Sequence, residues 1–268
     1  MTLPVIGAAL TLDDLTHYRD WILEKDRDLE LQDFVEADVL DADWQPLADR
    51  ARQLLDGYKG RMGIHGPFWG FDIATRDPLV RGVVQKRFGQ GLDVCAALGG
   101  THMVIHSPFS TWDFNNLNAR IGAREKLFDA VHAVLRPIVA RAETLGVTLV
   151  MENIEDIDPR DRAELCASFG SQALKLSVDT GHAHYAHRST GAAPVDYFIR
   201  AAGTDLAHIH LQDACGHADR HWAIGEGNIL WPSVFSAIQG QPRLILELMD
   251  KGGIPASMDY LTAKGLGQ

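Results

Sequence analysis

The sequence predicts an α/β fold, a single-domain (β/α)8 TIM barrel spanning residues 1–268, on three observations. Short apolar runs alternate with longer helical patterns eight times along the chain. Glycines 99, 146, 170, 203 and 240 each stand between a helical pattern and the next apolar run, where a left-handed residue ends a helix at little cost. The 268 residues suit one barrel of about 250, and no Pro-, Gly- or Ser-rich linker divides them. An open doubly wound sheet is the competing architecture. It would carry a phosphate loop after its first strand, and Gly7-Ala8-Ala9-Leu10 matches neither GxGxxG nor GxxxxGK[ST].

Taken in order, the predicted strands are residues 4–9, 29–34, 61–65, 102–106, 148–152, 175–179, 207–210 and 244–247. Each is a brief apolar or β-branched run, as a strand covered on both faces requires. Thr11 with Asp14 predicts a capping box ahead of the first helix, with Asp in place of the usual Glu. Residues 79–98 and 123–145 place apolar side chains every three or four positions with charges between, which makes amphipathic helices. Pro78 and Pro232 suit first helical turns, and residues 257–265 read as a closing helix.

Composition narrows the function. Hydrophobic residues make up 46% of the chain, enough for a large core, and no run approaches the ~18 apolar residues of a membrane span. The first ten residues lack a basic, long-apolar leader, so the expected location is the cytoplasm. Cys95, Cys166 and Cys215 have no CxxC spacing, which fits reduced thiols. The formal charge of −11 disfavours duplex DNA and anionic membrane as partners.

The carboxyl ends of barrel strands converge on one face, so the residue at each end carries the chemistry. These ends read His65-Gly66-Pro67-Phe68, His106-Ser107-Pro108-Phe109, Glu152-Asn153, Asp179-Thr180-Gly181-His182, His210-Leu211-Gln212-Asp213 and Glu247, with Asp219-Arg220-His221 following the seventh. Five histidines and four acids would then face one mouth. A lone histidine there is more often a hydrogen-bonded core residue, but four buried acids need cations to offset their desolvation. Imidazole mixed with carboxylate suits Zn, Mn or Fe better than Mg or Ca.

These segments, together with the stretch at 219–228, resemble the xylose isomerase-like TIM-barrel superfamily, which holds sugar isomerases, epimerases and endonuclease IV. The resemblance covers nearly the whole chain. In the isomerase and epimerase branch it implies one divalent metal on Glu152, Asp179, His210 and Glu247, with both glutamates acting as acid and base. In the endonuclease IV branch it implies three zinc ions. His65, His106 and Glu152 would hold one, Glu152, Asp179, His210 and Glu247 a second, and His182, Asp219 and His221 a third.

The first expectation is therefore a divalent-metal-dependent isomerase or epimerase, with one to three ions, acting on a small sugar, sugar phosphate or polyol. Glu152 and Glu247 are the candidate catalytic pair, and His182, Trp69 and Arg220 the candidate substrate contacts. Trp69 and Phe71 read either as a water-excluding wall or as packing beneath the loop, and Arg220 as an anion contact or a surface ion-pair partner. The second expectation is a trinuclear-metal phosphodiester or phosphoester hydrolase. Against a DNA substrate, residues 24–50 hold ten acids and three bases, with Glu36, Asp38, Asp41 and Asp43 beside the mouth. A non-catalytic carbohydrate-binding barrel is the third. His184 and His187 read as helix-start or loop residues outside the ligand set, and Asp213 either orients His210 or caps its loop. A homo-oligomer stays open.

Overall fold

The computed structural model describes residues 3–268. Eight parallel strands close in sequence order into a barrel: β1 (Gly7–Leu10), β2 (Leu29–Leu31), β3 (Met62–His65), β4 (His102–His106), β5 (Thr148–Glu152), β6 (Leu174–Asp179), β7 (Leu206–Leu211) and β8 (Arg243–Leu246). The surrounding helices are α1 (Leu12–Glu24), α2 (Ala37–Asp41), α3 (Gln45–Leu54), α4 (Pro78–Ala97), α5 (Thr111–Asn116), α6 (Ala123–Leu145), α7 (Pro159–Ala167), α8 (Thr180–Thr190), α9 (Val195–Ala202), α10 (Trp231–Ala237) and α11 (Ile254–Ala263). No helix among the described residues is long and apolar enough to cross a membrane.

Local chemistry explains the element ends. Thr11 and Asp14 form the reciprocal capping box of α1, so Asp serves where Glu is usual. All five predicted boundary glycines have positive φ, and Gly146, at φ 68° and ψ 24°, closes α6 in the left-handed region. Helix α6 turns a continuous stripe inward, Leu127, Val131, Val134, Leu135, Ile138 and Ala142, each such Val, Leu or Ile contributing roughly 1.5–3 kcal/mol by burial.

Three elements depart from the sequence expectation by two or more residues at an end, and the other strands by one at most. The first strand starts at Gly7, because the Ile6 amide donates to the Gln268 carbonyl at 3.0 Å and ties that segment to the chain end instead of the sheet. The second stops at Leu31, and Asp33 turns to accept the Leu12 amide at 2.9 Å. The closing helix begins at Ile254, where Pro255 occupies its first turn, and ends at Ala263.

Interior layers of such barrels are ordinarily branched apolar side chains. Here Glu30, His102, Ser177 and His208 are wholly buried in the strands beneath the mouth. The barrel supports polar chemistry through its depth as well as at its rim.

Candidate metal centre

Strand register sets the heights of the predicted ligands. His106 pairs with Glu152 across β4 and β5, and Asp179 with His210 across β6 and β7. A register shift between Leu176 and Ser177 brings that second pair level. Glu247, one residue beyond β8, still donates its amide to the Leu211 carbonyl at 3.1 Å and so stands on the same rim.

All nine predicted ligands fall into three groups whose donor atoms lie within 4.8 Å of one another: His65, His106 and Glu152; Glu152, Asp179, His210 and Glu247; and His182, Asp219 and His221. Glu152 belongs to two. One of its oxygens is 2.8 Å from His210 Nδ1, while the other lies 3.9 Å from His65 Nε2 and 3.7 Å from His106 Nε2. His210 Nδ1 is also 3.2 Å from Glu247. In the third group, Asp219 is 3.3 Å from His182 Nε2 and 3.0 Å from His221 Nε2.

Backbone carbonyls select which ring nitrogen faces the centre. His65 Nδ1 donates to Gly66 at 2.9 Å, His182 Nδ1 to Asn153 at 2.9 Å, and His221 Nδ1 to Glu247 at 3.0 Å. A carbonyl can only accept, so each Nδ1 carries the proton and each neutral ring presents a bare Nε2 inward. His210 is oriented the other way. Its Nε2 donates to Glu30 at 3.0 Å, leaving Nδ1 for the centre. His221 holds its position at φ 49°, a left-handed conformation uncommon for histidine.

Asp179 supplies the sharpest test of fit to a metal. One carboxylate oxygen caps α8, accepting the His182 amide at 2.6 Å, and also accepts from Gln212 at 3.2 Å. The other is buried without a hydrogen-bond partner. An orphaned carboxylate oxygen among inward-facing imidazole lone pairs is a donor set that fits a divalent cation, and mixed nitrogen and oxygen suits Zn, Mn or Fe.

Without a cation, protons carry the compensation. Burial, reinforced by Glu152 and Glu247, pushes Asp179 up to about 6. Burial opposes charge on His182 and His210, but the surrounding carboxylates outweigh it and hold both well above the usual imidazole range. His221 reaches about 9 by the same balance, with Asp219 its strongest partner. His106 goes the other way, to about 3, through burial and the neighbouring His65.

The candidate substrate contacts are placed less uniformly. His182 lies in the third group. Trp69 is 61% exposed, its ring tilted at 37° against Phe68. Phe68, which sequence reasoning passed over, is the ring against the centre, its centroid 4.3 Å from His106 and 5.0 Å from His65. Phe71 packs edge-on against Phe88. Arg220 is exposed, 5.9 Å above the Trp222 ring, and makes no ion pair among the described residues. His184 bonds Asn228 on α8's far side, outside the three groups.

Asp213 caps its loop: it accepts from the amides of Ala214, Gly225 and Ile229 and from Trp231 Nε1. Glu30 orients His210. Gln212 braces the second and third groups, donating to Asp179 and Asp219 and accepting the His221 amide. Gln32 clamps Glu247 at 2.7 Å. Two cavities flank the centre, about 680 Å3 beside Gln32 and Lys251 and about 290 Å3 between Phe68, Phe71 and His106. Among the acids after β2, Asp41 is paired with Lys86 and Arg87 of α4, so part of that charge anchors α2.

A closed parallel (β/α)8 barrel whose strand ends gather imidazoles and carboxylates at one rim defines the class of the fold. Within it, the chain belongs to the xylose isomerase-like TIM barrel family, whose pattern matches residues 30–264. It is 25% identical over 195 residues to the uncharacterised protein MJ1311 of Methanocaldococcus jannaschii, covering 70% of this chain but only 63% of that protein's length. The structure resembles the TTHB071 protein from Thermus thermophilus, soaked with ZnCl2, at a TM-score of 0.74 and 25% identity, over 98% of this chain and 99% of that one. It also resembles a D-tagatose 3-epimerase-like protein at a TM-score of 0.75 and 21% identity, over 96% of each chain, a likeness of fold.

Proposed function

We propose that the protein is a divalent-metal-dependent isomerase or epimerase acting on a small sugar or sugar phosphate. The observation that carries this reading is the convergence of Glu152, Asp179, His210 and Glu247, with one Asp179 oxygen left without a partner. Family membership and the epimerase-like neighbour support it.

A cation held by those four residues would polarise a substrate carbonyl and acidify the adjacent C–H. The chain's own part is proton handling and positioning. Glu152 and Glu247 both reach His210 Nδ1, at 2.8 and 3.2 Å, which places the two carboxylates together at the centre, where one would take the substrate proton and the other return it. Gln32 fixes the orientation of Glu247 through one oxygen. Phe68 shields the His65 and His106 side from water. The cavity beside Gln32 gives a polyol room to extend.

One observation favours a second reading, an endonuclease IV-like trinuclear phosphoester hydrolase. Glu152 directs its second oxygen toward His65 and His106, and the His182, Asp219 and His221 group stands complete. In that reading Glu152 would help hold cations in both of its groups instead of moving protons. The net charge of −11 favours a small phosphoester over duplex DNA.

The deciding experiment incubates metal-loaded protein in D2O with a panel of ketoses, followed by proton NMR, and in parallel with small phosphomono- and diesters. The epimerase reading expects deuterium uptake at the carbon beside the carbonyl, lost in Glu152→Gln and Glu247→Gln and retained in the double variant His65→Ala/His221→Ala. Phosphoester cleavage abolished by that double variant, with no exchange into any sugar, would establish the hydrolase instead.

A further inference from the structure

The rim residues stand on two halves of the barrel that meet at one seam. Strand pairing joins His65, His106 and Glu152 across β3, β4 and β5, and joins Asp179 to His210 across β6 and β7, with Glu247 just past the pairing of β8. Between β5 and β6 the pairing ends lower, at Met151 and Leu176, so Glu152 and Asp179 lie beyond it. Strand β6 shifts register against β7 just there, between Leu176 and Ser177, and parts from β5 as it does so. The tetrad of Glu152, Asp179, His210 and Glu247 straddles this seam.

Side chains fasten what the ladder leaves open. Arg162, near the start of α7 and 1% exposed, donates through one terminal nitrogen to the carbonyls of Met151 on β5 and Ser177 on β6. Its other terminal nitrogen reaches Asn153 Oδ1 at 3.4 Å, and its Nε donates to Asp156 at 2.9 Å. Asp156, itself buried, also accepts from the Ser107 hydroxyl, one residue past His106. Asn153 then pairs with the peptide groups of Asp179 much as a neighbouring strand would. Its Oδ1 accepts the Asp179 amide at 3.0 Å and its Nδ2 donates to the Asp179 carbonyl at 3.1 Å.

We propose that Arg162 and Asn153 are positioning residues of the metal centre, which set Glu152 against Asp179 across the seam before any cation arrives. The inference rests on the metal reading of the rim and adds what holds its two halves in place. Burying a guanidinium costs desolvation, and stability alone would be served as well by apolar packing. Its bonds to both strands and to Asn153 instead use the planar fork as a spacer of fixed geometry. Lysine carries the same charge but cannot span both carbonyls and Asn153 at once.

The test measures zinc affinity by calorimetry on the metal-free full chain for wild type, Arg162→Lys and Asn153→Ala, with urea unfolding of each. Asp179→Asn marks the binding event that Asp179 serves. The proposal expects Arg162→Lys, still folded, to weaken that event about 10–100-fold, the loss that follows removal of an orienting partner. Asn153→Ala should weaken it in the same range, and the double variant little further, since both act through one seam. Wild-type affinity in a folded Arg162→Lys chain whose urea midpoint alone has dropped overturns the proposal. Should neither variant fold, amide exchange of wild type decides. An Asp179 amide as protected without zinc as with it sustains the fastened seam, and protection that arises only with zinc overturns it. Wild type that binds no zinc removes the metal reading, and this role falls with it.

Discussion

Asp179 serves two structures with one carboxylate, capping α8 with one oxygen and leaving the other to the centre. Gln212 keeps that division in place, and it fits only because residue 181 lacks a side chain: a Cβ there would lie 2.2 Å from the Gln212 amide carbon. Gly181→Ala should therefore push Gln212 off Asp179, Asp219 and His221 while the barrel still folds. Loss of such orienting partners lowers metal affinity about 10–100-fold. Isothermal titration of metal-free protein with zinc should show that drop at the His182, Asp219 and His221 group, and unaltered affinity would mean that the brace is idle. The nine candidate ligands were legible because each ends an apolar run or follows one at short range. Glu30, His102 and His208 were not, because a strand's period of two tells which residues share a face but not that the face closes around a polar interior. Phe68 was masked by its larger neighbour Trp69.

At the scale of elements, alternation and capping chemistry made the order of strands and helices readable, and long-range bonds moved the ends. Gln268 holds Ile6 away from the sheet, and no local pattern at residues 4–9 signals that contact. The turn after β2 is the clearest case of an element joined to its neighbour by one ionisable group. Asp33 accepts the Leu12 amide, and burial raises its carboxyl from 3.8 to about 6. Between those values the native state binds more protons than the unfolded chain, so this group's contribution to stability is greatest below pH 4 and falls as pH rises to 6. Asp33→Asn keeps an oxygen for Leu12 and removes the charge. Urea unfolding from pH 4 to 7 should show the variant gaining on wild type as pH rises through that window. Parallel curves would show that Asp33 ionises normally in the fold.

For the molecule as a whole, barrel closure turns scattered residues into one centre. Strands β3 to β8, or the turns immediately beyond them, bring His65, His106, Glu152, Asp179, His210 and Glu247 to one rim, while α8 adds His182 and the loop after β7 adds Asp219 and His221. Sequence pattern predicted this gathering because parallel strands must end on one face. It left the choice of chemistry open, because sugar isomerisation and phosphoester hydrolysis can draw on the same ligands. The most direct measurement of the central claim is the metal content of purified protein by plasma mass spectrometry, after chelation and reloading with Zn, Mn or Fe. A cation-holding rim retains at least one equivalent per chain through exhaustive dialysis and loses it in Asp179→Asn. Protein that returns from dialysis with no stoichiometric metal, whichever ion was supplied, contradicts the account.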